Sequence, residues 1–150
     1  MKISTKGRYA LRLMLDLALT GSDQPVPLRD IAQRQEISDK YLEQIVTQLG
    51  RGGLVRSVRG AGGGYLLTRA PADYTVGEIL RVLEGSLAPV TCAEDSSCCG
   101  RADQCVAVEV WEEINRAVNS VVDHITLADL VDRYHQKAAL LSAQQSASRS

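Results

Sequence analysis

The chain has no apolar run as long as a membrane span, so no helix is expected to cross a bilayer. Its N-terminal stretch is apolar enough to suggest a signal sequence. Arg12 and Asp16 interrupt that stretch, however, and no small-residue cleavage site follows, so a cytoplasmic location is expected. Histidine is scarce, with 2 in 150 residues, and neither a Ser/His/Asp set nor a metal–Glu–His arrangement can be assembled from the chain. A Cys-x2-Cys pair is missing, which counts against a thioredoxin-like redox centre and lowers the case for a zinc knuckle. No GxxxxGK[ST] pattern occurs, so the glycine-rich stretch at 60–64 is not a phosphate loop. A small redox enzyme stays only as a remote alternative, with no catalytic set to support it. There is no internal repeat.

The totals are those of an ordinary soluble protein, 45% hydrophobic and 23% charged with a net charge of −1. The charge is unevenly placed. Residues 1–69 carry 11 Lys/Arg against 6 Asp/Glu, whereas residues 70–150 carry 6 against 12. A basic first half is suited to meet phosphate, and an acidic second half to do something else. The alternative is an unevenly solvated surface with no binding role.

Residues 4–20 read as a helix that is apolar nearly all round and hence buried, with Ser4 or Thr5 as cap and Gly21 after its end. After a turn over 21–27, residues 28–35 place Leu28, Ile31 and Ala32 on one helical face. Ser38 can cap a second helix from Asp39 to about Gly50, which turns Leu42, Ile45, Val46 and Leu49 inward at i, i+3, i+4 and i+7. Its other face carries Lys40, Tyr41, Glu43, Gln44, Thr47 and Gln48. Two short helices joined by a tight turn, the second polar outside, make a helix-turn-helix. Gly52-Gly53 ends it. Residues 54–58 and 65–67 then read as two strands around a glycine-rich tip, which is a wing.

Downstream, Thr75-Val-Gly-Glu78 matches a capping box that opens a helix through about Leu83, closed by Gly85. The polar stretch 90–104 and its flank hold all four cysteines. From about Asp103 to Asp123 an apolar stripe of Ala107, Val110/Trp111, Ile114, Val118 and Val121/Val122 runs about 30 Å at 1.5 Å per residue. Such a helix beside so small a domain favours a homodimer, although plain intramolecular core would also explain it. Thr126-Leu-Ala-Asp129 opens a last helix to about Tyr134. The Ser/Ala/Gln-rich end is expected to be unstructured.

Lys40, Glu43 and Gln44 lie near the N-terminal end of the second helix, the end that enters a major groove. Gln pairs with adenine, Lys reaches guanine and Glu accepts from cytosine N4; Tyr41 shares their face. Glu43, a carboxylate near phosphate, discriminates against sites that offer it no donor. Arg59 at the wing edge suits a minor groove. Lys2, Lys6, Arg8, Arg51 and Arg56 are candidate phosphate contacts, which position without specifying. The partner is therefore expected to be double-stranded operator DNA. A winged helix used for protein contact is the alternative, and the excess of positive charge disfavours it.

Cys92-x5-Cys98-Cys99-x5-Cys105 puts four thiols in 14 residues. In a reducing compartment these are metal ligands or redox sensors rather than structural disulfides. Thiolates on a Gly/Ser/Asp-rich loop suit an iron–sulfur cluster, although the spacing matches neither common ferredoxin pattern. Zinc and a thiol switch stay open from the residues alone.

Taken together, Met-Lys-Ile-Ser-Thr-Lys-Gly-Arg-Tyr-Ala at the start, Tyr41-Leu-Glu-Gln44, Gly53-Leu-Val-Arg-Ser-Val-Arg-Gly60 and Gly62-Gly-Gly-Tyr-Leu-Leu67 form a specific pattern. Through them the chain resembles the winged-helix regulators typified by IscR, with NsrR and CymR as relatives, over roughly residues 1–133. The resemblance implies a mainly α fold with a small two-stranded wing, a winged helix-turn-helix plus a long C-terminal dimerisation helix. The chain then divides into a DNA-binding domain (1–84), a cysteine-bearing cluster loop (85–105) and dimerisation helices (106–137), with composition making 138–150 a disordered tail. It also implies a homodimer carrying an iron–sulfur cluster, 2Fe–2S in preference to 4Fe–4S, on Cys92, Cys98, Cys99 and Cys105.

IscR-like ligands follow Cys-x5-Cys-x5-Cys-x2-His, and this chain departs from that pattern twice. It has one residue more between the outer cysteines, and Val108 stands where the histidine would be. The spare cysteine of the Cys98-Cys99 pair, Asp103, Glu109 or a group from the partner chain could supply the fourth ligand. His124 lies too far along the helix, and His135 is likewise expected at the surface. The implied targets are genes of iron–sulfur cluster assembly or cysteine metabolism. A zinc- or thiol-dependent repressor of cysteine metabolism on the same scaffold is the alternative.

Overall fold

The computed structural model describes residues 2–20 and 23–149. The element order is α1 (Thr5–Thr20), α2 (Leu28–Gln35), α3 (Asp39–Arg51), β1 (Val55–Val58), β2 (Gly64–Leu67), α4 (Val76–Glu84), α5 (Val106–His124) and α6 (Leu127–Ser148). The expected class holds: six helices with a single antiparallel two-stranded sheet among the described residues. None of the described helices is long and apolar enough to cross a membrane.

Helix α1 is the hub because its apolar surface goes most of the way round. Ala10, Leu13, Met14 and Leu17 meet Ile31 and Ala32 of α2, Leu42, Ile45 and Leu49 of α3, and Ile79 of α4 in one core. Each fully buried aliphatic side chain of this kind contributes about 1.5–3 kcal/mol. Ser4 caps α1, its Oγ accepting from the Gly7 N–H at 3.2 Å. Its own N–H donates to Glu84 Oε1 at 3.0 Å, and its hydroxyl donates to the same oxygen. A carboxylate at that end is favoured by the helix dipole. Gly21, expected to follow α1, lies outside the described residues.

Helix α2 starts after Pro27 and ends at Glu36, which takes the left-handed conformation (φ 55°) so that the Ile37 N–H reaches Ala32 O. Ser38 then caps α3 as expected, accepting from Tyr41 N–H at 3.2 Å. An ion pair with one buried member locks α2 to α1. Asp16, only 5% exposed, accepts from Arg34 Nη2 at 2.7 Å, Arg34 Nε at 3.1 Å and Gln35 Nε2 at 2.9 Å.

The wing pairs Val55 with Leu67 through Val58 with Gly64. Val26, just before α2, adds a bridge to the far edge of β2, exchanging two hydrogen bonds with Tyr65 at 2.9 and 3.0 Å. The tip can close only with glycine: a Cβ on Gly63 would sit 2.2 Å from Val58 O, and one on Gly64 2.3 Å from Val26 O.

Thr75 caps α4 by accepting from Glu78 N–H at 3.0 Å, but the expected box is only half made. The Glu78 carboxylate is taken by Arg69 instead. The second box is complete, with Thr126 and Asp129 exchanging bonds of 2.9 and 3.1 Å. Arg81 of α4 reaches across to Asp123 and Asn119 of α5.

Helix α5 starts at Val106 rather than near Asp103, and its body-facing residue at the start is Val108 (6% exposed), not Ala107 or Val110. Trp111, Ile114, Val118 and Val122 are half-buried, while Val106, Val110 and Val121 stay exposed. Composition assigns residues 138–150 to a disordered tail; in the structure α6 instead continues as helix to Ser148. Alanines at 138, 139, 143 and 147 favour helix even where nothing is buried, and every described side chain from 132 onward is exposed. Ser150 lies outside the described residues.

Candidate nucleic-acid interface and cysteine loop

The apolar stripe of α3 faces α1, so its polar stripe must face out. Lys40, Glu43, Gln44, Thr47, Gln48 and Arg51 line one side of an open groove, and Lys6 of α1 closes the other. Three cations and two long amides thus share one concave surface with a single carboxylate, Glu43. Among the described residues no hydrogen bond holds the side chains of Lys40, Glu43 or Gln44, while Glu43 O on the backbone accepts from Thr47 Oγ1 at 2.6 Å. Their side chains are exposed and available to a ligand.

Tyr41 differs from its neighbours. It is half-buried, its ring meeting Tyr9 of α1 edge-on at 5.7 Å. The guanidinium of Arg12 sits over that Tyr9 ring at 5.2 Å and also bonds Gln35 at the end of α2. Tyr41 therefore sets the start of α3 against α1 as much as it offers a surface. Residue type alone marks neither Tyr9 nor Arg12 as part of this interface; their i, i+3 spacing on α1 is the available signal.

The other candidate basic residues do not line this groove. Arg59 is exposed at the end of β1 and Arg8 is exposed on α1, where it bonds Thr5 Oγ1 at 3.3 Å. Lys2 is exposed ahead of α1. Arg56 lines a different hollow, with Asp23, Gln24, Tyr65 and Arg69, between the wing and the end of α1.

The cysteine loop leaves α4 at Gly85, which takes a positive φ of 75°, and is built of two short 3-10 turns, Thr91–Ala93 and Ser96–Cys98. Asp95 stabilises the second turn, accepting from the Ser97 hydroxyl and from Ser97 N–H at 3.0 Å, and both bonds hold its carboxyl below the usual range. All four thiols are free. Cys98 is exposed, Cys92, Cys99 and Cys105 are half-buried, and Cys105 stands just before α5 with no capping bond from its side chain. Local crowding, then Asp95, Cys92 and Cys99, raise the Cys98 thiol above its ordinary range. A lone thiolate is disfavoured there, and a bound cation would relieve that repulsion.

Cys105 faces a separate hollow with Ser96, Asp103, Glu109 and Glu112. Among the described residues no three potential ligands converge on one point. The donor set thus fits a thiolate-held metal group in kind, while the loop has still to gather it. His124, at the far end of α5, bonds Ser120 O at 2.6 Å and plays no part here.

The family model described as "Rrf2: Iron-dependent Transcriptional regulator" matches residues 3–133. The chain is 44% identical over 131 residues to Protein rrf2 of Nitratidesulfovibrio vulgaris, covering 87% of each. Among solved structures it is similar to CymR, the global cysteine regulator of B. subtilis, at 45% identity and a TM-score of 0.74, covering 89% of this chain and 98% of that one. T. potens IscR matches with 44% identity and a TM-score of 0.73, over 89% and 88% of the two chains.

Proposed function

The chain belongs to the Rrf2 family of transcriptional regulators, which are not enzymes, and from that premise we propose that it is a homodimeric, operator-binding regulator controlled by an iron–sulfur cluster. The observation that carries the DNA reading is the open groove where Lys40, Glu43 and Gln44 stand free on α3 with Lys6 and Arg51 beside them. Helix α3 enters the major groove. Gln44 addresses adenine, Lys40 guanine and Glu43 cytosine N4, with Tyr41 fixing the helix behind them. Arg59 enters the flanking minor groove. Lys6, Arg8, Arg51 and Arg56 hold phosphates.

Dimerisation is supported by the exposed valines of α5, Val106 (74%), Val110 (48%) and Val121 (58%). It is supported too by the apolar trough of Ile3, Leu80, Leu87, Ala117, Val118, Val121 and Val122 beside them. A second copy of α5 covers this surface and matches the two-fold symmetry of an operator.

Cys92, Cys98, Cys99 and Cys105 are the residues that would hold the cluster, 2Fe–2S in preference to 4Fe–4S. When bound it supplies an oxidant-sensitive iron centre. The protein's part is the path leading from the loop. Gly85 joins it to Glu84, which holds the start of α1 through Ser4, and Lys6 follows two residues later. The regulated genes are those of cluster assembly or cysteine supply. A second reading, a zinc- or thiol-dependent repressor of cysteine metabolism, is favoured by the likeness to CymR.

Anaerobic purification with an absorption spectrum and iron, sulfide and zinc analysis separates the two. Stoichiometric iron and sulfide, lost together in Cys92→Ala, supports the cluster. Colourless, iron-free protein after reconstitution overturns it and leaves DNA binding untouched.

A further inference from the structure

Tyr74 is wholly buried, yet its hydroxyl is bonded on several sides. It accepts from Thr68 N–H at 2.8 Å and Arg69 N–H at 3.0 Å and donates to Leu54 O at 2.8 Å, with Thr68 Oγ1 at 3.1 Å. Leu54 directly precedes β1 and Thr68 directly follows β2. One phenol oxygen therefore grips both wing strands at their base. Thr68 adds a second grip, its hydroxyl donating to Gly53 O at 2.8 Å. The Arg69 guanidinium closes over the ring at 4.5 Å and pairs with Glu78 of α4, which fixes the ring's outer face.

The backbone of this residue faces the other way. Tyr74 O accepts from Leu127 N–H at 3.0 Å, Thr75 pairs with Thr126, and Val76 N–H donates to Ile125 O at 2.9 Å. The junction of α5 and α6 is thus joined to the segment 74–76, and within it Tyr74 bonds both that junction and the wing base. Phenylalanine would fill the same space. The hydroxyl is needed because, among the described residues, the Thr68 and Arg69 N–H groups find no other acceptor, and Leu54 O has beside it only the longer bond from Thr68 Oγ1 at 3.4 Å.

We infer that Tyr74 is a positioning residue for DNA binding: it holds the wing at a fixed attitude to the C-terminal helices, so that Arg59 meets the minor groove. The inference rests on the reading that this chain binds DNA with its wing. It adds a determinant of that binding which touches no DNA.

The test uses the full-length protein and duplexes selected from a randomised pool by the unaltered chain. Tyr74→Phe, checked for native circular dichroism, is expected to bind about tenfold more weakly and to lower the salt slope by about 1, the scale of one lost contact. The decisive comparison is with Arg59→Ala. If Tyr74 acts through the wing, Tyr74→Phe costs less than about twofold once Arg59 is gone, because coupled residues are not additive. Factors that multiply would mean that Tyr74 acts independently of Arg59 and would overturn the inference. Unchanged affinity in Tyr74→Phe, or in Arg59→Ala, would overturn it too.

If Tyr74→Phe does not fold, Thr68→Val removes the second hydroxyl and leaves the ring in place. It is expected to weaken binding about twofold with the same non-additivity. Hydrogen exchange at the Thr68 and Arg69 amides reads the grip without DNA, and exchange no faster in Tyr74→Phe would refute the grip. A wild-type chain that selects no duplex would instead defeat the DNA reading, a result distinct from each of these.

Discussion

Asp16 is the charged side chain found buried among the described residues, and its removal tests what joins the helix-turn-helix to α1. Asp16→Ala deletes one acceptor of three hydrogen bonds, two from Arg34 at 2.7 and 3.1 Å and one from Gln35 at 2.9 Å. Losing one partner of a fully buried ion pair costs about 3–5 kcal/mol. Here the released partner, Arg34, is already 44% exposed and can turn to water, so the cost falls to about 2 kcal/mol. At roughly 2–4 °C per kcal/mol for a chain of this size, the melting midpoint drops by about 4–8 °C.

The reverse deletion is worse. Arg34→Ala leaves a buried carboxylate with Gln35 as its remaining donor, and should cost about 3–4 kcal/mol. Arg34 is held in its charged form first by the hydrogen bonds to Asp16, the same bonds that are lost. Both variants are measured by thermal and urea unfolding at pH 7 and one fixed protein concentration, because a dimer's midpoint depends on concentration. The reasoning lies in the order of the two costs. If Arg34→Ala is no more harmful than Asp16→Ala, the carboxylate is not held as a buried charge, and the account of how α2 is fixed fails.

Gly64→Ala would place a Cβ 2.3 Å from Val26 O, so the bridge to Tyr65 must open; faster exchange of the Val26 and Tyr65 amides is expected, and unchanged exchange would refute the steric argument. Val110→Glu on the exposed face of α5 should leave the monomer's fold intact while sedimentation moves from dimer to monomer; a dimer that survives at micromolar concentration would place the interface elsewhere. Arg81 holds the Asp123 carboxyl below its usual range. A lowered folded-state value means that the pair stabilises the protein at neutral pH and that this stability is lost as pH falls through and below the ordinary carboxylate region near pH 4. Since both side chains are over a third exposed, the loss in Asp123→Asn should be a few tenths of a kcal/mol at pH 7 and shrink as the pH falls below the ordinary carboxylate region; a pH-independent loss in urea titrations would sink that assignment.

The helix-turn-helix and wing were legible because local chemistry alone determines them. Pro27, the Ser38 cap, the i, i+3, i+4, i+7 spacing of Leu42, Ile45, Val46 and Leu49, and the glycines of the tip all act within a few residues. The outward face of α3 follows once that spacing is known, so Lys40, Glu43 and Gln44 were named with no knowledge of the fold. Tyr41 was half-read, because only the tertiary structure brings Tyr9 to its ring. The contacts of Glu84 with Ser4, of Glu78 with Arg69 and of Tyr74 with Leu54 lie beyond any periodicity, since they join residues 9 to 80 positions apart.

The length of α6 was missed for a different reason. Ala, Gln and Ser bury nothing, which reads as disorder, yet alanine is also the strongest helix former. The cysteine loop has no period at all. Its residues announced a chemistry, and its shape had to come from the Asp95–Ser97 turn and the neighbouring hollows.

The wing runs five residues from Leu54 at its base to Arg59 near its tip, or about 17 Å at roughly 3.3 Å per residue. Such a rod multiplies angular error: a tilt of about 5° at the base displaces the tip by roughly 1.5 Å, half the length of a hydrogen bond. The accuracy with which Arg59 is delivered is therefore a matter of stiffness at the pivot, not of any group near the tip. Changes confined to positions 53–54 and 68–74 would retune which duplexes are held while leaving every DNA-facing side chain as it was.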